Sequence, residues 1–390
     1  MAAADSSAAR ARVGLGEVAA QWGRIGCIGF GGPPTHIALL RELCVERKHW
    51  IDSIEFEDAI AACNLLPGPA STQLAILCAW ILAGPMGAVV GGLAFIVPGL
   101  IVILGLAAVF LAASPPTWVL AAGAGAGAAI AAVAFHAGIG LIPASWRRAR
   151  AHGRWLAYAL AGGVAAATVG PWLVVVLLGC GALELGIRQF GTSGRLGMHT
   201  SPLVLVAAVA TTSGGVLALA WVAFKVGALA YGGGFVIIPL MQHDAVQHYH
   251  WMTNSQFLDA VALGQVTPGP VVQTVAVVGY AAAGIGGGLL AALVAFSPSF
   301  VFVLVGGTHF QTFRQNDTAR FFLEGAGPAA IGAIIGVAVP LATALGETWQ
   351  FAILGGAAVF LLLLRRSVVL VLLVAAVVGI VAVQLGAPLR

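Results

Sequence analysis

Arg24 and Lys225 stand inside apolar stretches, each about six residues ahead of a glycine-rich break. A cation placed in lipid costs at least ~2.5 kcal/mol unless it is paired or hydrated. The two are therefore expected to face a negatively charged ligand, with snorkelling to a membrane surface as the structural alternative. The breaks are Gly29-Phe30-Gly31-Gly32 and Tyr231-Gly232-Gly233-Gly234. Lacking a Cβ, Gly31, Gly32, Gly232 and Gly233 would let a ligand reach bare backbone. A second pair of breaks, Pro67-Gly68-Pro69 and Pro268-Gly269-Pro270, comes about 35 residues later in each case. A helix that opens after such a break inside a membrane presents unpaired N–H groups and roughly half a positive charge. Gly68 and Gly269 would expose those donors. Ser71, Thr72 and Gln73 in one copy, and Gln273 and Thr274 in the other, add neutral hydrogen-bonding groups on the first turn. Asn64 and Gln265 lie just ahead of the breaks and could touch a ligand or tie down the backbone. An oxyanion could be held this way without a full set of opposite charges.

Ionisable residues within or beside apolar stretches form a second set of candidates. Asp58 and Asp259 occupy matching places four residues into a short helix, where they could serve in coupling or charge compensation, or simply complement a helix N-terminus. Glu17, His36 and Glu42 have no match in the second copy and could each carry a proton, or lie in solvent. His243, His248 and His250 do not fall on one helical face, so no metal site is expected. No G-x-x-x-x-G-K-[ST] loop occurs, which argues against ATP-driven pumping by this chain. No cofactor is expected, and no enzyme activity. Matched pairs of polar residues fit a symmetric binding site better than an unequal catalytic cluster built on Asp58 and His36.

The elements that must position these residues come as a repeat. Sliding the chain on itself by 201 residues aligns Arg24–Ala70 with Lys225–Val271 without a gap, and 15 of the 47 pairs are identical. The shared set includes His49/His250, Trp50/Trp251, Phe56/Phe257, Asp58/Asp259 and both P-G-P triplets. Apolar composition alone does not supply a Trp, an Asp and P-G-P in register, so two homologous halves, 1–195 and 196–390, are expected. Each reads as two helical hairpins followed by long spans. A helix (about 13–30; 215–231) meets the glycine break, and a second follows (about 33–48; 235–248). A short helix then opens at a capping box, Asp52-Ser53-Ile54-Glu55 or Thr253-Asn254-Ser255-Gln256, and stops at P-G-P. Apolar spans follow at about 87–113, 117–142, 155–168 and 171–187, and again at about 285–305, 321–344, 349–364 and 368–386.

Composition sets the medium. Only 8% of residues are charged and 60% are hydrophobic, against about 25% charged in a soluble domain. That excludes a soluble, disordered or collagen-like chain, and the absence of period-two alternation excludes a membrane barrel. Five cysteines without a C-x-x-C pair read as packing residues, and Met1–Arg12 as a short polar tail. The net charge of +4 sits in clusters between apolar runs, a membrane-orientation pattern rather than a nucleic-acid signal. The first hairpin carries Arg41, Arg47 and Lys48, whereas its counterpart, Gln242–His250, has no Lys or Arg. The two copies are thus expected to face opposite sides. The stretch 202–214 is short for the crossing this requires. The expected fold is an all-α polytopic membrane protein of two inverted-topology repeats, with re-entrant or broken helices around a midplane site.

The motifs resemble those of the chromate ion transporter family. They are Phe30-Gly31-Gly32-Pro33 with His36-Ile37-Ala38, and the run from Asn64 through Pro67-Gly68-Pro69 to Gln73. In the second half they are Phe224-Lys225-Val226-Gly227, Tyr231-Gly232-Gly233-Gly234-Phe235 and Gly264 to Pro270. The likeness covers both halves, which implies a full-length, two-domain member. It implies export of chromate across the bacterial cytoplasmic membrane, driven by an ion gradient and conferring chromate resistance. Chromate has the tetrahedral shape of sulfate, and nothing in the residues separates the two. A sulfate or other oxyanion carrier with the same fold is the alternative, and a passive anion channel a further one. The lipid bilayer is the expected surrounding, no nucleic acid is expected, and self-association as a homodimer stays open.

Overall fold

The computed structural model describes residues 13–63, 66, 68–168, 172–192, 215–230, 234–306 and 317–389. The tail Met1–Arg12, Asn64, Pro67, Tyr231, Gly232, Gly233 and the stretch 202–214, all used above, lie outside the described residues. The described chain is helical, with no strand.

Helix α1 (Leu15–Ile28) ends at the glycine break, where Gly31 and Gly32 adopt φ of 97° and 76°. α2 (Pro33–Arg41) then starts with two prolines, whose fixed φ and missing N–H suit a first helical turn but not a continuation. α2 runs into a π-helical turn, Glu42–Arg47. At its end Lys48 Nζ lies 2.8 Å from a carboxylate oxygen of Glu17, at the start of α1. The chain has therefore folded back on itself, and the glycine break is the tip of a hairpin. α3 (Ser53–Cys63) leads to the second tip at Gly68, φ 117°. α4 (Ala70–Phe110) returns from it, then reverses at Ala83–Gly84, so that Gly87 and Gly91 pack on Ala79. Its first leg, 70–82, spans about 20 Å at 1.5 Å per residue, which is too short to cross a ~30 Å hydrocarbon core. Its second leg, 85–110, at about 39 Å, is long enough.

The second half repeats this conformation. α8 (Val216–Leu229) precedes the break; a 3₁₀ turn and α9 (Ile238–Gln242) follow, then a π-helical turn, His243–His248. These positions fall 201 residues after their counterparts. Each π turn is closed by a histidine at positive φ, His49 (49°) and His250 (54°). The next residue donates its N–H back into the turn, Trp50 to Cys44 O and Trp251 to Ala245 O, both at 2.8 Å. α10 (Asn254–Val266) carries the expected capping box, Thr253 with Gln256. In the first half, the Asp52 carboxylate accepts the N–H of Ile54 at 2.8 Å. After P-G-P the spacing drops to 200. α11 (Thr274–Gly306) reverses at Ala283–Gly284 as α4 does at Ala83–Gly84, and Pro298 matches Pro98.

The remaining helices are α5 (Thr117–Arg148), α6 (His152–Thr168), α7 (Leu173–Thr192), α12 (Asp317–Gly336), α13 (Ala338–Thr343), α14 (Thr348–Ala358) and α15 (Val368–Gln384). The halves are interlocked: α6 and α7 pack on α12, while α14 and α15 pack on α5. Gly162 meets the backbone of Ala329, and Gly125 meets Ala375 and Gly379, close approaches that only small residues permit. An ion-pair chain reinforces the first of these seams. Glu184 lies 2.9 Å from both Arg154 and Arg188, and Arg188 reaches Glu324 of the other half at 3.0 Å. The equivalent helices α4 and α11 pack antiparallel, because Gly92 lies against Phe300 and Gly288 against Leu104. Among the described residues, four helices, 70–110, 117–148, 271–306 and 320–343, are long and apolar enough to cross a membrane, and three shorter apolar ones accompany them. Ile101, Leu160, Leu293 and Leu363 are exposed on the outside, as a lipid-facing surface requires. The chain is a polytopic helical membrane protein.

Candidate substrate site where the helix breaks meet

The hairpin tips of the two halves converge on one carbonyl. Gly29 O, in the first glycine break, accepts the N–H of Gly269 from the opposite P-G-P at 3.0 Å. The same oxygen accepts from His36 Nε2 at 2.9 Å. A carbonyl can only accept, so Nε2 carries the imidazole hydrogen and Nδ1 is left as an acceptor, 3.4 Å from the Ser71 hydroxyl. The ring is buried and meets Phe95 edge-on.

Other contacts cross between halves in the same region. Gln273 Nε2 donates to Ile96 O at 2.8 Å. A Cβ on Gly32 would lie 3.5 Å from Val271, and one on Gly99 would collide with Pro268 O and Gln273. A Cβ on Gly68 would lie 2.7 Å from Gln73 Nε2, 3.3 Å from Gly227 O and 3.5 Å from Ser299 Oγ. On Gly269 it would lie 3.2 Å from Gln273 Nε2. Glycine is required at both tips for conformation as well, since φ is 117° and 95°. No side chain caps the helix that opens at Ala70 or the turn that opens at Val271.

Around these tips the buried polar atoms do not all find partners. Thr267 and Thr274 hydroxyls donate to carbonyls of their own segment, Leu263 O and Val271 O, each at 2.8 Å. Thr72 Oγ1, Ser299 Oγ, Gln265 Nε2 and Gln273 Oε1 have no hydrogen-bond partner among the described residues. Native proteins leave few such groups, because each costs about 1–3 kcal/mol. Three of the four can donate, which is what an anion needs and what a packed apolar core does not.

The remaining sequence candidates fall elsewhere. Arg24 lies on the exposed face of α1. Lys225 pairs with the buried carboxylate of Asp244 and sits 5.9 Å from the centre of the Trp221 ring. Asp244 matches Leu43 in the first half, so nothing in the repeat alignment announced this partner. Glu17 pairs with Lys48, and Glu42 lies 4.0 Å from Arg47, both at exposed positions. Asp259 is buried against α5, whereas Asp58 is half-buried and engaged with other groups. The described residues hold no cluster that could bind a metal ion. Ser299 was not among the sequence candidates. Its signal was its place one residue after Pro298, matching Gly99 after Pro98, inside an otherwise apolar span.

The chromate transporter family model matches residues 16–185 and 217–380, taking in both sets of breaks. The chain is 31% identical over 331 residues to a chromate transport protein of Cupriavidus metallidurans, covering 82% of this chain and 80% of the relative. It is 30% identical over 332 residues to a probable chromate transport protein of Synechococcus elongatus, covering 82% of each. A chromate transport protein of Pseudomonas aeruginosa is 28% identical over 349 residues, or 85% of this chain and 82% of that one. No solved structure matches. With the family model spanning most of both halves, this chain belongs to the chromate transporter family.

Proposed function

We propose that the protein exports chromate from the bacterial cytoplasm, driven by an ion gradient, and so confers chromate resistance. The observation that carries this reading is the set of unpartnered donors, Thr72, Ser299 and Gln265, in the region where the breaks at Gly29–Gly32, Gly68 and Gly269, drawn from both halves, come together. Chromate offers only acceptor oxygens. Neutral hydroxyl and amide donors, with the uncapped N–H groups after Pro69 and Pro270, complement it without a formal cation at the tips. Membership of the family and the names of the relatives support chromate as the cargo.

The antiparallel packing of α4 on α11 supports an inverted-repeat arrangement of 1–195 and 196–390, because equivalent helices run in opposite directions. A site between two such halves can be opened to either side by rocking one against the other. The clusters Arg147/Arg148, Arg188 and Arg320 then fall on the cytoplasmic side. Sulfate exchange through the same site is the second reading, favoured by the neutrality of the donors, which read shape and charge but not the central atom. The test is chromate retention by a chromate-sensitive bacterium expressing the protein. The expected result is several-fold less chromate per cell than in cells expressing the Gly68→Val/Gly269→Val double variant. Equal retention would overturn export.

A further inference from the structure

We infer that Asp259 is the proton-binding group that couples this protein to its driving gradient, an inference that rests on the transport reading above. Asp259 is 7% exposed and its Oδ1 has no hydrogen-bond partner among the described residues. The carboxyl lies in a notch of α5: a Cβ on Gly123 would come within 2.7 Å of Oδ1 and 2.9 Å of Oδ2, and one on Gly127 within 3.5 Å of Oδ1. Only half of this notch recurs in the sequence of α12. At 200 positions further on, Gly327 matches Gly127, but Leu323 stands where Gly123 gives the carboxyl its closest approach.

Among the described residues, the elements packed most extensively on α10 bring no counter-ion to it. α10 packs on α4, α5, α9, α11, α15 and the turns at 243–248 and 271–273. α4, α9, α11, α15 and the 271–273 turn contain no Asp, Glu, Lys, Arg or His; their only titratable side chains are Cys78 and Tyr280. On α5 the ionisable groups are His136, Arg147 and Arg148, at least nine residues beyond Gly127 and so about 13 Å or more along the axis. The 243–248 turn carries His243, Asp244 and His248, and its Asp244 is held by Lys225. A carboxylate buried without a partner is far costlier than the neutral acid. In this conformation Asp259 holds a proton, which it can lose only when the α5–α10 seam admits water. The glycine face of α5 offers no interlocking side chains to oppose such a movement. Gln265, six residues on and about 9 Å along the same helix, belongs to the unpartnered cluster at the breaks. Movement of α10 therefore reaches the proton site and the substrate site together. The step is a simple protonation, carboxylate plus proton giving carboxylic acid.

Two measurements on the full-length protein test the assignment. Infrared spectra of purified protein should show a protonated-carboxyl carbonyl stretch at neutral pH that is absent from Asp259→Asn and present in Asp58→Asn. In proteoliposomes, an imposed pH gradient should raise chromate accumulation at least tenfold for the wild type, and Asp259→Asn should lose that response. Retention of either the band or the gradient response in Asp259→Asn overturns the proposal. Wild-type chromate counterflow without any response to a pH gradient also overturns it while leaving chromate transport standing. Absence of wild-type counterflow would sink the transport reading, and the infrared band would still decide whether Asp259 holds a proton. If Asp259→Asn fails to fold, Gly123→Ala substitutes. Its methyl would press on the carboxyl oxygens and should shift the band, and an unmoved band would reject the site.

Discussion

Removing the hydroxyls of Thr72 and Ser299 should move stability and substrate binding in opposite directions. Both oxygens are fully buried and lack a partner among the described residues, and each such group costs the fold about 1–3 kcal/mol. Thr72→Val keeps the shape of the side chain and deletes only the polar atom, and Ser299→Ala does nearly the same. Each variant should therefore unfold at the same or a higher temperature than the wild type. Binding should respond in the other sense, because a hydrogen bond to a charged ligand contributes about 1.5–3 kcal/mol. That corresponds to a loss of roughly 10- to 150-fold in affinity for each hydroxyl. Equilibrium dialysis of chromate against purified, monodisperse protein would measure the affinity, and thermal unfolding in detergent the stability. Two variants that bind chromate like the wild type, or that are destabilised by several degrees, would refute the assignment of these oxygens to the substrate.

Gly68→Ala should weaken chromate binding more than Gly269→Ala, because its methyl would lie 2.7 Å from Gln73 Nε2 rather than 3.2 Å from Gln273 Nε2; the positive φ costs either variant about 1–3 kcal/mol. Pro69→Ala, at a position that contributes no donor, should be mild in the same assay. His36→Ala removes the ring bonded to Gly29 O and should cost about 2–4 kcal/mol of thermal stability through the lost hydrogen bond and the cavity left beside Phe95. Asp244→Ala and Lys225→Met should each lower the thermal stability, since either leaves the other member of a largely buried ion pair without its partner. Cysteines introduced at the exposed positions Arg47 and His248 should label from opposite faces of the membrane, and labelling of both from one face would remove the inverted arrangement.

Much of this architecture is legible in the sequence. Glycine and proline write backbone conformation directly into sequence, so the tips at Gly31-Gly32 and at Gly68 and Gly269 could be read from residue type. The 201-residue register aligns His49-Trp50 with His250-Trp251, and in the fold both pairs close the same π-helical turn. Side-chain partners were not legible. Lys225 looks like an isolated intramembrane cation until the hairpin folds Asp244 against it, and the repeat offers no hint because Leu43 stands at the matching place. His36 has an isoleucine, Ile237, at its matching position, so its bond to Gly29 O had no counterpart from which to infer it. Ser299 reaches the candidate site only because α11 passes the tip of the other half at Gly68, a long-range contact that no local pattern encodes. The interlocking of α6 and α7 with α12 was hidden for the same reason.

Chromate counterflow in proteoliposomes tests the central claim most directly. Vesicles preloaded with unlabelled chromate and diluted into a trace of labelled chromate need no coupling ion, so the measurement isolates the carrier from its energy source. A carrier whose site lies between two halves predicts transient accumulation of label above the outside concentration, decaying as the internal pool drains, and abolished in Gly68→Val/Gly269→Val. Label that merely equilibrates, or that enters no faster than into protein-free vesicles, would contradict it.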